Sequence, residues 1–103
     1  MNWLDLVKFL APIILVKINP HLAQVSDSII KGISEASQMS NASGEDKLKH
    51  AVNITNDAVN AINSATGIQR IDPVVVSDSA AHAISLIVDI TKLIHKSPIN
   101  INN

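Results

Sequence analysis

The sequence predicts an all-α fold, a small bundle or hairpin array of about four helices with the first kinked at Pro12, and three observations carry that expectation. Apolar residues recur at spacings of three and four in each of four segments, which is the period of a helix with one buried face. The segments are separated by helix punctuation: Asn19 with Pro20, Ser43 with Gly44, Gly67, Asp72 with Pro73, and Pro98. The one strand-like run, Val74 to Val76, has no second strand to pair with, and a lone strand leaves its backbone groups unsatisfied.

The first helix is expected from about Asn2 to Ile18. Pro12 inside it removes one hydrogen bond and imposes a bend or a division into two short helices. Leu4, Val7, Ala11, Ile14 and Ile18 form one apolar stripe, and Leu6, Phe9, Leu10, Ile13 and Val16 widen the apolar surface well beyond it. The second helix opens on an Asn19 cap followed by a first-turn Pro20 and is expected to end near Met39 or Ser40, with Leu22, Val25, Ile29, Ile33 and Ala36 facing inward.

Ser43 with Asp46 three residues on forms a capping box for the third helix, and Glu45 and Asp46 complement its positive end. Leu48, Ala51, Val52, Thr55, Ala58, Val59 and Ile62 make its inward stripe. Gly67 stops it, with Ile68 placed for the apolar contact of a glycine C-cap. Asp72 and Pro73, or Ser77, start the fourth helix, which is expected to reach about Lys96 with Val76, Ala80, Ala83, Ile84, Ile87, Thr91 and Ile94 on one face. Leu86, Val88, Ile90 and Leu93 again widen the apolar surface. Residues 1–98 read as one helical domain and 99–103 as a short polar tail.

A chain of 103 residues supports one small core. Its apolar share of 47% is ordinary, but charged residues make up only 17%, against about 25% in a typical domain, and Asn and Ser take their place. A net charge of -1 gives no basic footprint for nucleic acid. There is no Cys, and Trp3 and Phe9 are the only aromatic residues, which leaves no thiolate site and no stacking platform.

The N-terminal segment superficially resembles a signal peptide or a membrane span. Its longest stretch without Asp, Glu, Lys or Arg, Phe9 to Val16, is eight residues, whereas a helical span needs about 20. A cleavage site of the A-x-A kind is missing after it. A buried or interfacial helix is the expected role, and the N-x-S/T matches at Asn41 and Asn53 read as chance.

Catalytic and metal-binding patterns are not found. The histidines are His21, His50, His82 and His95; Asp78 and His82, four apart on a helix, could share a metal, but two ligands without a third specify no site. His82 with Asp89 fits an interhelical contact, and His95 fits a helix C-terminus. No Ser lies in a nucleophile motif, and Gly32, Gly44 and Gly67 are isolated and build no phosphate loop. No enzyme activity and no cofactor are expected.

The apolar surplus of the first and fourth helices points to self-association or other protein subunits as partners. Trp3, Leu6, Phe9, Leu10, Ile13, Val16, Leu86, Ile90 and Leu93 are the contact residues, and a membrane surface is the alternative. A second candidate surface is polar. In "NITNDAVNAIN", Asn53, Asn56, Asn60 and Asn63 share one helix face about 120° from the apolar stripe. That face is either solvated or meets another helix, where amides can hydrogen-bond without the cost of burying full charges.

One stretch resembles a known family. "GEDKLKHAV" and, after the rest of that helix, "GIQRIDPVVVSDSAAHAISLIV" are similar to the C-terminal half of small phage holin-like proteins of the LLH type. There, a Gly-acid-acid-Lys start opens a helix, a Gly-Ile break follows, and a helix rich in Ala and Ile closes the chain. The resemblance covers residues 44 to 88 and implies a phage setting, in the virion or the host cytoplasm, with a membrane-associated lysis role acting through the N-terminal apolar helix as one possibility. The N-terminal region departs from that family in being short, charged at Asp5 and Lys8, and interrupted by Pro12.

Overall fold

The computed structural model describes residues 2–66 and 72–95. The expected positions of Gly67, Ile68, Lys96, Pro98 and the polar tail lie outside them. The described residues form four helices and no strand: α1 (Trp3–Ile18), a 3-10 helix (Pro20–Val25) continuous with α2 (Ser26–Ser37), α3 (Gly44–Thr66) and α4 (Pro73–His95).

Short polar side chains fix where each element starts. Asn2 Oδ1 accepts from the Asp5 N–H at 2.8 Å, Asn19 Oδ1 from His21 N–H at 3.0 Å, Ser43 Oγ from Asp46 N–H at 3.1 Å, and Asp72 Oδ1 from Val74 N–H at 2.9 Å. Each satisfies a donor that has no partner in the first turn of a helix. The run at Val74 to Val76 is therefore the start of α4. Asp72 is its cap and Pro73 its first residue, where the missing N–H costs nothing.

Two boundaries differ from the sequence expectation. Pro20 opens a 3-10 helix, and the α-helical ladder begins only at Ser26. The tighter winding has a packing reason: Leu22 and Val25, three apart, lie on one side of a helix with three residues per turn, and both are buried. α2 ends at Ser37, one turn-length short of Ser40, and Asn41 turns the chain toward α3 at φ 62°, a left-handed conformation that asparagine tolerates. In α1, Pro12 lies within a single helix and on its exposed side.

The helices alternate in direction. α2 packs chiefly on α3, α3 on α4, and α4 on α1, while α2 barely touches α4. The core is aliphatic: Val7, Ala11 and Leu15 from α1, Leu22 and Val25 from the 3-10 helix, Ile29 and Ile33 from α2, Ala51 and Val59 from α3, and Val76, Ala80, Ala83, Ile84 and Ile87 from α4. The α2–α3 crossing is close enough that a Cβ on Gly32 would sit 3.0 Å from both Cα and O of Ala51. Two threonines enter this core without an unsatisfied hydroxyl, because Thr55 Oγ1 donates to the Ala51 carbonyl at 2.9 Å and Thr91 Oγ1 to that of Ile87 at 2.6 Å.

Candidate functional site

Four helix ends meet at one end of the bundle: the start of α1, the end of α2, the start of α3 and the last turns of α4. Because α2 and α4 stay apart there, a cleft of about 630 Å³ opens between them. Its depth is apolar, formed by buried Ile33, Ala36, Ala51 and Ile84 with half-buried Trp3, Leu48 and Val88. Its margin is polar, with Ser37, Glu45, Lys47, Ser85, Asp89 and Lys92. The volume falls in the range of ordinary binding pockets, and the interior offers shape and apolar surface without a charged group.

Trp3 is tied to the far end of the sequence at the edge of this cleft. Its indole N–H donates to Thr91 Oγ1 at 3.0 Å, which orients the ring along α4. Trp3, one of the expected contact residues, is half-buried and lines the cleft.

The remaining apolar candidates divide into two groups. On α1, Phe9, Ile13 and Val16, at spacings of four and three, form a ridge on the outer side and are 64%, 50% and 48% exposed. Leu6 and Leu10 are half-buried. On α4, Leu86 and Ile90 are half-buried, while Leu93 is 73% exposed. Ile94 was expected on the buried face and is exposed. The Trp3–Thr91 pairing gives the reason: α1 begins opposite Thr91, so the following turn of α4 overhangs it.

The asparagine face also divides. Asn53 and Asn60 are exposed. Asn56 is half-buried, and its Oδ1 accepts from Ser77 Oγ of α4 at 3.0 Å, so that amide bridges two helices of one chain. Asn63 is half-buried.

The polar groups form structural pairs. His50 Nε2 lies 3.1 Å from Glu35 Oε1 across the α2–α3 crossing, and Lys31 Nζ lies 3.9 Å from the other oxygen of Glu35. His82 and Asp78 are both exposed. Among the described residues no three His, Asp or Glu side chains converge in a way that could hold a metal ion, and no helix is long and apolar enough to cross a membrane.

The fold and these surfaces define a small antiparallel helical bundle with an apolar end cleft and an exposed apolar ridge. Comparison with protein-family models, curated proteins and solved structures finds no match to this chain.

Proposed function

We propose that the chain is a non-catalytic, self-associating helical protein of phage type that acts as a structural or assembly component of a larger complex. The observation that carries this reading is the α1 ridge, where three large apolar side chains on one face stand about half exposed or more on a helix whose opposite face is fully buried. Monomeric soluble domains scatter exposed apolar residues singly, and a continuous stripe of them marks a contact surface. The mechanism is burial: each Å² of apolar surface covered contributes about 25 cal/mol, against the cost of association. The phage setting rests on the resemblance of residues 44 to 88 alone.

Light scattering with and without mild detergent tests the reading. Assembly above the 11.0 kDa chain mass at micromolar concentration, independent of detergent, is the expected result, and a strictly monomeric species defeats it. The competing reading is a membrane-associated, holin-like lysis protein that lays α1 on the bilayer. It would use Trp3 as interfacial anchor, but that indole N–H is engaged by Thr91. Flotation of the chain with neutral or anionic liposomes would favour that reading.

A further inference from the structure

We infer that the end cleft is a binding site for a small, uncharged, largely apolar molecule whose only polar group is a hydroxyl or an amide. Such binding is independent of self-association, since it uses the cleft and not the α1 ridge.

Size selects the class of occupant. A space of 630 Å³ is about 9 Å across, so its walls fall well short of the roughly 800 Å² that each partner of a stable protein interface covers. The same volume lies within the range of about 300–1,000 Å³ for small-molecule pockets, and at about 30 Å³ for each water-sized group it holds about 20 non-hydrogen atoms. The gap has a local cause. α2 and α4 barely touch, and the last turn of α2 lines the space between them with nothing larger than Ala36 and Ser37.

Polarity narrows the class further. Ile33, Ala51 and Ile84 make the buried floor, and half-buried Trp3, Leu48 and Val88 make the walls. The indole N–H of Trp3 is taken up by Thr91 Oγ1 at 3.0 Å, so that ring offers the cleft only apolar surface. An ion drawn into these surroundings would lose water and gain no partner. At the margin the two signs are balanced, with Glu45 and Lys47 on α3 and Asp89 and Lys92 on α4. A balanced margin creates no field that draws in an anion or a cation. It does set hydrogen-bond donors and acceptors side by side at the mouth, which is what a hydroxyl or an amide requires.

Competition against an uncharged fluorescent dye, N-phenylnaphthylamine, tests this, and Trp3, the chain's one tryptophan, is a second reporter inside the cleft. Three competitors of equal chain length separate the classes: octanol, octanoate and octylammonium. Octanol should displace the dye and change the Trp3 emission at concentrations about tenfold or more below either ion. Ser85→Phe fills the mouth from the half-buried α4 side, and Ala36→Leu fills the gap from α2. Circular dichroism and thermal melting establish which variants fold, and each folded one should bind octanol about tenfold more weakly or worse. Phe9→Glu, on the ridge and outside the cleft, should bind octanol as the wild type does.

Equal competition by either ion, or wild-type affinity in a folded cleft-filling variant, would overturn the site. Loss of binding in Phe9→Glu would also overturn it, by placing the dye on the ridge. If neither dye nor octanol binds, the site is refuted, and shielding of Trp3 from acrylamide as the chain assembles would then make a second copy the occupant. A wild type that binds octanol but is monomeric at every concentration keeps the site and defeats the proposed function.

Discussion

The indole N–H of Trp3 donates to Thr91 Oγ1 at 3.0 Å, and that hydroxyl donates in turn to the Ile87 carbonyl at 2.6 Å, closing a chain of hydrogen bonds between residues 88 positions apart. The pair ties the first turn of α1 to the last turns of α4, beside the wall of the cleft.

Removing either member should therefore cost stability, and by unequal amounts. Trp3→Phe deletes the donor and leaves Thr91 bonded to Ile87, at a cost of about 1 kcal/mol. Thr91→Val keeps the shape of the side chain and strands the indole N–H in a half-buried place, which costs about 1–3 kcal/mol. Urea denaturation of both single variants and the double variant reads the coupling directly, and strictly additive losses would show that the bond contributes nothing to register.

Gly32 and Gly44 make opposite predictions for the same substitution. In an open helix position Gly→Ala gains up to about 1 kcal/mol from backbone entropy. A Cβ on Gly44 meets nothing within 4 Å, so Gly44→Ala should be neutral or mildly stabilising. A Cβ on Gly32 meets the Ala51 backbone at 3.0 Å, and backbone cannot rotate away. Gly32→Ala should lose about 1–3 kcal/mol through forced separation of α2 and α3. Each 1 kcal/mol moves the melting midpoint of a domain near this size by about 4–8 °C, well within calorimetric reach.

The buried stripes and the helix starts were legible in the sequence because both are local. The stripe of the second segment, from Leu22 through Ala36, is buried throughout, and Asn19, Ser43 and Asp72 cap where side-chain chemistry placed them. Leu15 was not legible, although it is completely buried. Residues 13–16 are apolar on every side, so hydropathy there cannot say which one turns inward. Asn2, expected as about the first residue of the helix, is its cap.

The 3-10 start at Pro20, the overhang of Ile94 and the end cleft depend on how far apart two helices stand, and no spacing along one chain encodes that distance. Gly32 did carry a signal that went unread. A glycine beside a buried stripe, between Ile29 and Ile33, marks a close crossing.

The four asparagines of α3 should respond one by one, not as a face. Asn53 and Asn60 are exposed, and Lys at either position should change stability by no more than about 0.5 kcal/mol. Asn56 holds Ser77 across the α3–α4 contact, so Asn56→Lys should cost about 1 kcal/mol or more. Ser77→Ala should cost less, since it leaves a half-buried amide that water can reach. Equal losses at all of these positions would contradict the division of the face.

Leu15 and Phe9, six positions apart and so about 120° apart around the same helix, are buried and exposed respectively, and truncating them should separate folding from assembly. Leu15 is enclosed by the core, and Leu15→Ala removes buried methyl groups and leaves a cavity, at about 2–5 kcal/mol. Phe9 is 64% exposed, so Phe9→Ala removes little that folding covers, and the monomer should keep its melting temperature within a few degrees. What Phe9→Ala should lose is assembly, because an aromatic anchor in a desolvated contact typically costs 2 kcal/mol or more on truncation, about a thirtyfold weaker association. Sedimentation velocity across a concentration series, run beside thermal melts of both variants, measures the two effects separately. A Phe9→Ala chain that melts as early as Leu15→Ala would place Phe9 in the folding core and remove the ridge as a contact surface.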